Sequence, residues 1–198
     1  MKIGIYGGSF NPIHFGHVRL ARQLLALAGL DEVWFVVSPQ NPLKQQSELL
    51  DDQVRLEMVQ AALRREKNMK ASDVEFRLPK PSYTWNTLEM LKQEHPSDEF
   101  TLLIGGDNWE RFHLWYRAED IRKQYHIVVY PRGSSPEDAS LDISPVSSEE
   151  GRIDYLVGLP LINISSTMVR QRIHEGRPIN RLVPKAVADI IRERGLYL

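Results

Sequence analysis

Four short apolar runs set the strongest limit on how this chain folds. They are KIGIYG from Lys2, EVWFVVS from Glu32, EFTLLIGGD from Glu99 and YHIVVYPR from Tyr125. Each is too short for a helix, and each is apolar almost throughout rather than on alternate residues. That pattern belongs to strands of a parallel sheet covered on both faces. Between them lie stretches with helical spacing. FGHVRLARQLLALAG places Val18, Ala21, Leu24, Leu25 and Ala28 along one side, and Gly29 stands where a helix ends. DDQVRLEMVQAALRRE carries acids in its first turn, where the helix dipole favours them. SYTWNTLEMLKQEHP stops at Pro96. Two closing helices are predicted in STMVRQRIHEG and in PKAVADIIRERG, the second opened by Pro184 and followed by Gly195. Further strands are expected near Val74 to Arg77 and in LPLINIS, and residues 133 to 151 read as an exposed loop. The alternation implies an α/β fold, a Rossmann-like doubly wound parallel sheet with helices on both faces, in one domain spanning 1–198.

Composition narrows the function classes. The formal net charge is -1, so no global basic field gathers nucleic acid or an anionic membrane. There is no cysteine, which excludes disulfides, thiolate metal sites and a thiol nucleophile. The start MKIGIYGG is strand-like, without a signal-peptide core, and no run reaches the ~18 apolar residues of a membrane span. The expectation is a cytoplasmic protein with no nucleic-acid and no membrane partner, as a monomer or homo-oligomer.

In such sheets ligands bind beyond the carboxyl ends of the strands, where the strand order reverses. Chemistry is therefore expected in 7–17, 38–44, 105–115, 130–133 and 164–170. In GIYGGSFNPIHFGH, Gly7 and Gly8 let the backbone turn and approach a ligand, and Pro12 fixes one torsion. His14 and His17 are three apart at a helix start, whose N–H groups suit phosphate. Neither the P-loop nor the GxGxxG fingerprint is present. Two histidines without further ligands make a poor zinc site, and no resident metal is expected. In INISSTMVRQRI, Ser165 or Ser166 can cap a helix, with Thr167 and Arg170 one turn apart as a second anion site.

GSFNPIHFGH resembles the GxFxPxHxGH signature of the HxGH nucleotidyltransferases, which move a nucleotidyl group from a triphosphate to an acceptor and release pyrophosphate. ISSTMVR is similar to the ISSTxxR motif that this family places on the ATP tail. PSYTWNTLEML, LLIGGDNWERFHLWYRAEDI and VVYPRG resemble segments of the bacterial nicotinate-mononucleotide adenylyltransferases. The resemblance implies adenylyl transfer from ATP to nicotinate mononucleotide, with Mg²⁺ carried on the ATP. It implies a reacting set of His14, His17, Lys44 and Arg170. Gly7, Gly8, Ser9, Phe10, Gly16, Gly105, Asp107, Ser165, Ser166 and Thr167 would bind ATP, with the helices of 166–198 completing that site. Ser82, Tyr83, Thr84, Asp107, Trp109, Trp115 and Arg132 would bind the acceptor: Trp115 by stacking, backbone N–H groups near Thr84 and Trp109 on the carboxylate, Asp107 on ribose, and Arg132 and Lys44 on phosphates. Asn11 and Asn86 stand where many relatives have aspartate. Other acceptors (nicotinamide mononucleotide, phosphopantetheine), a non-catalytic ATP sensor and a tRNA-synthetase-like protein are the alternatives.

Overall fold

A computed structural model describes residues 1–39, 49–131, 145–147, 153–156, 159 and 163–198. Its strands are β1 (Lys2–Gly8), β2 (Glu32–Val37), β3 (Met69–Ser72), β4 (Glu99–Gly105), β5 (His126–Tyr130), β6 (Pro145–Ser147) and β7 (Ile153–Leu156). They form one sheet in the order β3-β2-β1-β4-β5-β7-β6. All neighbours are parallel except β6, which runs antiparallel to β7 at the edge. The winding direction reverses between β1 and β4, so their carboxyl ends, Gly7–Gly8 and Gly105, flank the switch point.

Helices α1 (Phe15–Leu27), α2 (Asp52–Leu63), α3 (Thr84–Glu94), α4 (Gly106–Trp109), α5 (Ala118–Gln124), α6 (Ser166–His174) and α7 (Lys185–Glu193) complete the fold. The strands alternate side chains between two cores, as their pleat requires. Tyr6, Val33, Phe35, Leu103 and Val128 pack with Val18, Leu24, Val59, Val169 and Val187 of α1, α2, α6 and α7. Ile3, Ile5, Trp34, Leu102 and Ile127 pack with Trp85, Leu88, Leu91 and Ile121 of α3 and α5. Gly4 lets the two leucines close over β1: a Cβ there would lie 2.7 Å from a Leu30 methyl and 2.8 Å from a Leu103 methyl, so both side chains would have to shift. Gly29 and Gly195 follow α1 and α7 at φ of 59° and 58°, in the left-handed region that glycine adopts without strain.

One strand assignment needs correcting. Val74–Arg77 is a 3-10 helix, and the strand lies just before it at Met69–Ser72, paired with β2 from Val33 to Val36. Val74 and Glu75 both turn inward, which an alternating strand cannot do. Of LPLINIS, residues 160–162 lie outside the described residues, and 159 and 163–165 are not in a strand; the edge of β5 is paired with Ile153–Leu156. Within the expected loop of 133–151, Pro145–Ser147 is a strand, and the remainder lies outside the described residues.

One buried cation ties the loops above the sheet together. Arg55 of α2 is fully buried, and its guanidinium donates to the carbonyls of Ser9 (2.6 Å), Ser38 (2.9 Å) and Leu50 (2.9 Å) and to Asp52 (2.5 Å). Burial holds its pKa below the usual arginine range, while Asp52 opposes that shift. Arg55→Met would leave three buried carbonyls without their donor and should lower unfolding stability by about 3 kcal/mol in urea titration. Arg22→Met, which breaks the exposed Arg22–Glu66 pair, should cost about 0.5 kcal/mol or less in the same assay.

Candidate functional site

The first loop is built so that two imidazoles stack. His14 is the buried N-cap of α1, and its ring lies 3.7 Å from that of His17, with 26° between the planes. The backbone N–H of His14 donates to Nδ1 of His17 at 3.2 Å. A neutral His17 ring so held carries its proton on Nε2, where it can be given to a phosphate oxygen. Gly16 makes the stack possible, since a Cβ there would fall 2.8 Å from His14 Nδ1. Phe10, at φ 45°, is buried behind the loop and packs edge-on to His17 at 5.1 Å. Its side chain packs against the imidazole and is not among the residues lining the cleft. Gly7 has open space where a Cβ would stand.

The second anion element is seated directly on this loop. Ser165 caps α6 by accepting from the N–H of Met168 at 3.1 Å. Ser166 donates to the carbonyl of Pro12 at 2.9 Å, so its hydroxyl proton holds the loop. Arg170 Nη1 donates to the carbonyl of Asn11 at 2.9 Å, and Nη2 reaches Thr167 Oγ1 at 3.5 Å. The histidine loop, at Asn11, and the arginine thus meet across 159 residues of sequence. The chain end closes the same loop: the buried hydroxyl of Tyr197 donates to Asn11 Oδ1 at 2.8 Å. A neutral amide at position 11 accepts this bond without adding charge.

Beside the loop, a cleft of about 340 Å³ opens at the switch point between β1 and β4. Gly7, Gly8 and Gly105 line it at the strand ends, and Ser82, Tyr83 and Thr84 line it at the start of α3. Trp115 and Tyr116 bound it on a further side, and Tyr83 meets Tyr116 at 5.1 Å. Of the aromatic residues spaced three apart, Phe112 is core, and Trp109 stacks on Phe112 at 4.8 Å outside the cleft. Trp109 is therefore packing, and its side chain is not a cleft contact; Trp115 is. Ser82 donates its hydroxyl to Glu75, away from a ligand. Asp107 is exposed in α4, next to the cleft residues Gly105 and Asn108. Ser9 presents its carbonyl to Arg55. Lys44 and Arg132 lie outside the described residues. Ser38, Glu75 and Tyr116 also line the cleft; Ser38 falls in the expected segment 38–44 and Tyr116 adjoins Trp115, while nothing in the sequence pointed to Glu75.

Residues 5–172 match the cytidylyltransferase-like family model, which covers both anion elements and the cleft. The chain belongs to the cytidylyltransferase-like family. Curated family members are similar over nearly the full length. A "Probable nicotinate-nucleotide adenylyltransferase" of Flavobacterium johnsoniae is 44% identical over 198 residues, covering 100% of this chain and 99% of that protein. One of the same name from Bacillus pumilus is 33% identical over 196 residues, covering 99% and 98%. Among solved structures, a Plasmodium falciparum nicotinic acid mononucleotide adenylyltransferase complexed with NaAD superposes with a TM-score of 0.75 at 21% identity, covering 99% of this chain and 97% of that one. The likeness to that structure shows that the cytidylyltransferase-like fold is shared. The motif resemblance read from the sequence thus extends over the whole chain.

Two outcomes test this geometry. Gly16→Ala should displace His14 and lower stability by about 1–3 kcal/mol, whereas Gly7→Ala, with open space at its Cβ, should change stability by about 1 kcal/mol or less in thermal denaturation. Burial raises the pKa of Tyr197 well above its ordinary value, against the opposing pull of Arg170 and Arg55. A phenol kept neutral in the fold contributes stability that is intact below about pH 10 and is lost as pH rises, because the unfolded chain ionises first. Tyr197→Phe should therefore lose less stability than the parent between about pH 9 and pH 11 in chemical denaturation.

Proposed function

We propose that the protein joins ATP and nicotinate mononucleotide into nicotinate adenine dinucleotide and pyrophosphate, a step of NAD biosynthesis. The observation that carries this reading is the seating of α6 on the histidine loop, through Arg170 on Asn11 and Ser166 on Pro12, at the edge of an aromatic-lined cleft. The 44% identity to a relative of that name supports the choice of acceptor.

The acceptor's phosphate oxygen attacks the α-phosphorus of ATP, the bond to the bridging oxygen breaks, and pyrophosphate leaves. A phosphate monoester is already anionic at neutral pH, so no general base is needed. Positioning and charge neutralisation do most of the work in such a displacement. His14 and His17 donate to the phosphate oxygens as charge builds on them. Arg170 and Thr167 hold the β,γ end, with the N–H groups of the α6 start and the cap residue Ser165; Lys44 adds positive charge from the segment after β2. Gly7, Gly8 and Gly16 let the nucleotide approach the backbone, and α6 and α7, within 166–198, complete the ATP site. The groups on this side are imidazoles, hydroxyls and a guanidinium, which suit phosphate oxygens rather than a magnesium cage. Mg²⁺ is accordingly part of the nucleotide substrate, bound through its phosphates and water.

On the acceptor side, the pyridine ring stacks on Trp115. Its carboxylate meets the N–H groups at the start of α3, near Thr84, where the helix dipole favours an anion. Asp107 accepts from ribose hydroxyls, and Arg132 neutralises the phosphate. Among the described residues no helix is long and apolar enough to cross a membrane, and we place the reaction in the cytoplasm.

The deciding measurement is pyrophosphate release from ATP–Mg²⁺ with nicotinate mononucleotide, nicotinamide mononucleotide or phosphopantetheine in parallel. Nicotinate mononucleotide should give the highest kcat/KM; release with no acceptor at all would leave only nucleotide binding. His17→Ala should lower kcat by about 100-fold or more while changing unfolding stability by about 1 kcal/mol or less.

A further inference from the structure

Glu75 has no part in the reaction described above, yet its carboxylate is buried in the wall of the acceptor cleft. Its Oε2 accepts from Ser38 Oγ at 2.5 Å and from Ser82 Oγ at 2.7 Å, and its Oε1 accepts from Thr87 Oγ1 at 2.9 Å. Three hydroxyls satisfy much of its hydrogen bonding but bring no charge. No lysine, arginine or histidine among the described residues forms a salt bridge with it, although buried carboxylates are ordinarily paired with a cation. The neighbouring wall is apolar, from Ile5, Val36, Leu102 and Ile104. A charge on this surface is poorly screened and acts strongly on whatever enters.

The acceptor itself can supply the missing cation. A pyridine joined to ribose through its ring nitrogen is a pyridinium, with a full positive charge spread over a flat ring. Trp115 offers that ring an aromatic face in the same cleft. We propose that Glu75 is the counter-charge of the acceptor cleft and makes it selective for a cationic pyridinium nucleotide over one with an uncharged ring. The inference rests on the adenylyltransferase reading given above. It assigns Ser38, Ser82 and Thr87 the task of holding the carboxylate in place, which commits their hydroxyl protons to Glu75. The nicotinate carboxylate is then left to the backbone N–H groups of α3.

The test removes the ring charge, and because reduction also ends the ring's aromaticity, the deciding quantity is how the ratio between the two acceptors changes on Glu75→Gln. Nicotinate mononucleotide and its dihydropyridine form, made by dithionite reduction, share the carboxyl group, the ribose and the phosphate. Their kcat/KM values at saturating ATP–Mg²⁺ are measured for the parent protein and for Glu75→Gln. Glutamine keeps the size: Thr87 can still donate to the amide oxygen, and the hydroxyls of Ser38 and Ser82 can rotate to accept from its two N–H groups. The parent should favour the oxidised acceptor by about tenfold or more. Glu75→Gln should lose about tenfold on the oxidised acceptor through KM, leave the KM of ATP unchanged, and change by about threefold or less on the reduced one. Equal losses on both acceptors would mean that Glu75 only ties three segments together, and would overturn the proposal; so would an unchanged ratio. If Glu75→Gln does not fold, Glu75→Asp keeps the charge and should keep the ring preference, and its loss in folded protein overturns the proposal equally. A parent protein that turns over nicotinate mononucleotide with no ring preference sinks only the role of Glu75. One that releases no pyrophosphate with either acceptor sinks the adenylyltransferase reading first, and this inference with it.

Discussion

The parallel pairing of β1 with both β2 and β4 is the constraint on which everything else rests. Because the chain winds outward in opposite directions from these two strands, the connections leaving their carboxyl ends diverge. A cleft is left between them that no side chain of the sheet can fill. Gly7, Gly8 and Gly105 keep its floor low, and α3 and the Trp115 segment raise its sides. A sheet of the same strands in another order would pack the same cores and leave no such opening.

The loops around that cleft are irregular, and buried polar groups hold them where a hydrophobic contact could not. Arg55 gathers three carbonyls from three segments, Glu75 gathers three hydroxyls, and Asn11 joins α6 and the chain end to the histidine loop. Such bonds are directional, so they set positions to within tenths of an ångström. Reactions that depend on placement and charge rather than on covalent help need that kind of fixity. The division of labour is visible in the first motif. Gly16 leaves room for the His14 ring, Phe10 backs His17, and the two imidazoles stack on each other.

Much of the fold was legible because parallel strands covered on both faces have an apolar signature, and capped helices announce their ends. Where that reading failed, the cause was local. VEFR alternates like a strand, yet Glu75 is drawn inward by hydroxyls from Ser38, Ser82 and Thr87, none of them within six residues of it. The trio at 109, 112 and 115 has one spacing and two fates, since only the third residue reaches the cleft.

The sequence alone determined the family, the doubly wound sheet and the two phosphate motifs, because glycine, proline and histidine at fixed offsets encode backbone conformation and donor chemistry locally. Only the tertiary structure decided that Arg170 lies on the histidine loop, that Tyr197 closes it, and that the Glu75 carboxylate lines the cleft. Those contacts join residues far apart in the chain, and no local pattern records which distant hydroxyl, carbonyl or guanidinium will arrive beside a given atom once the sheet has wound.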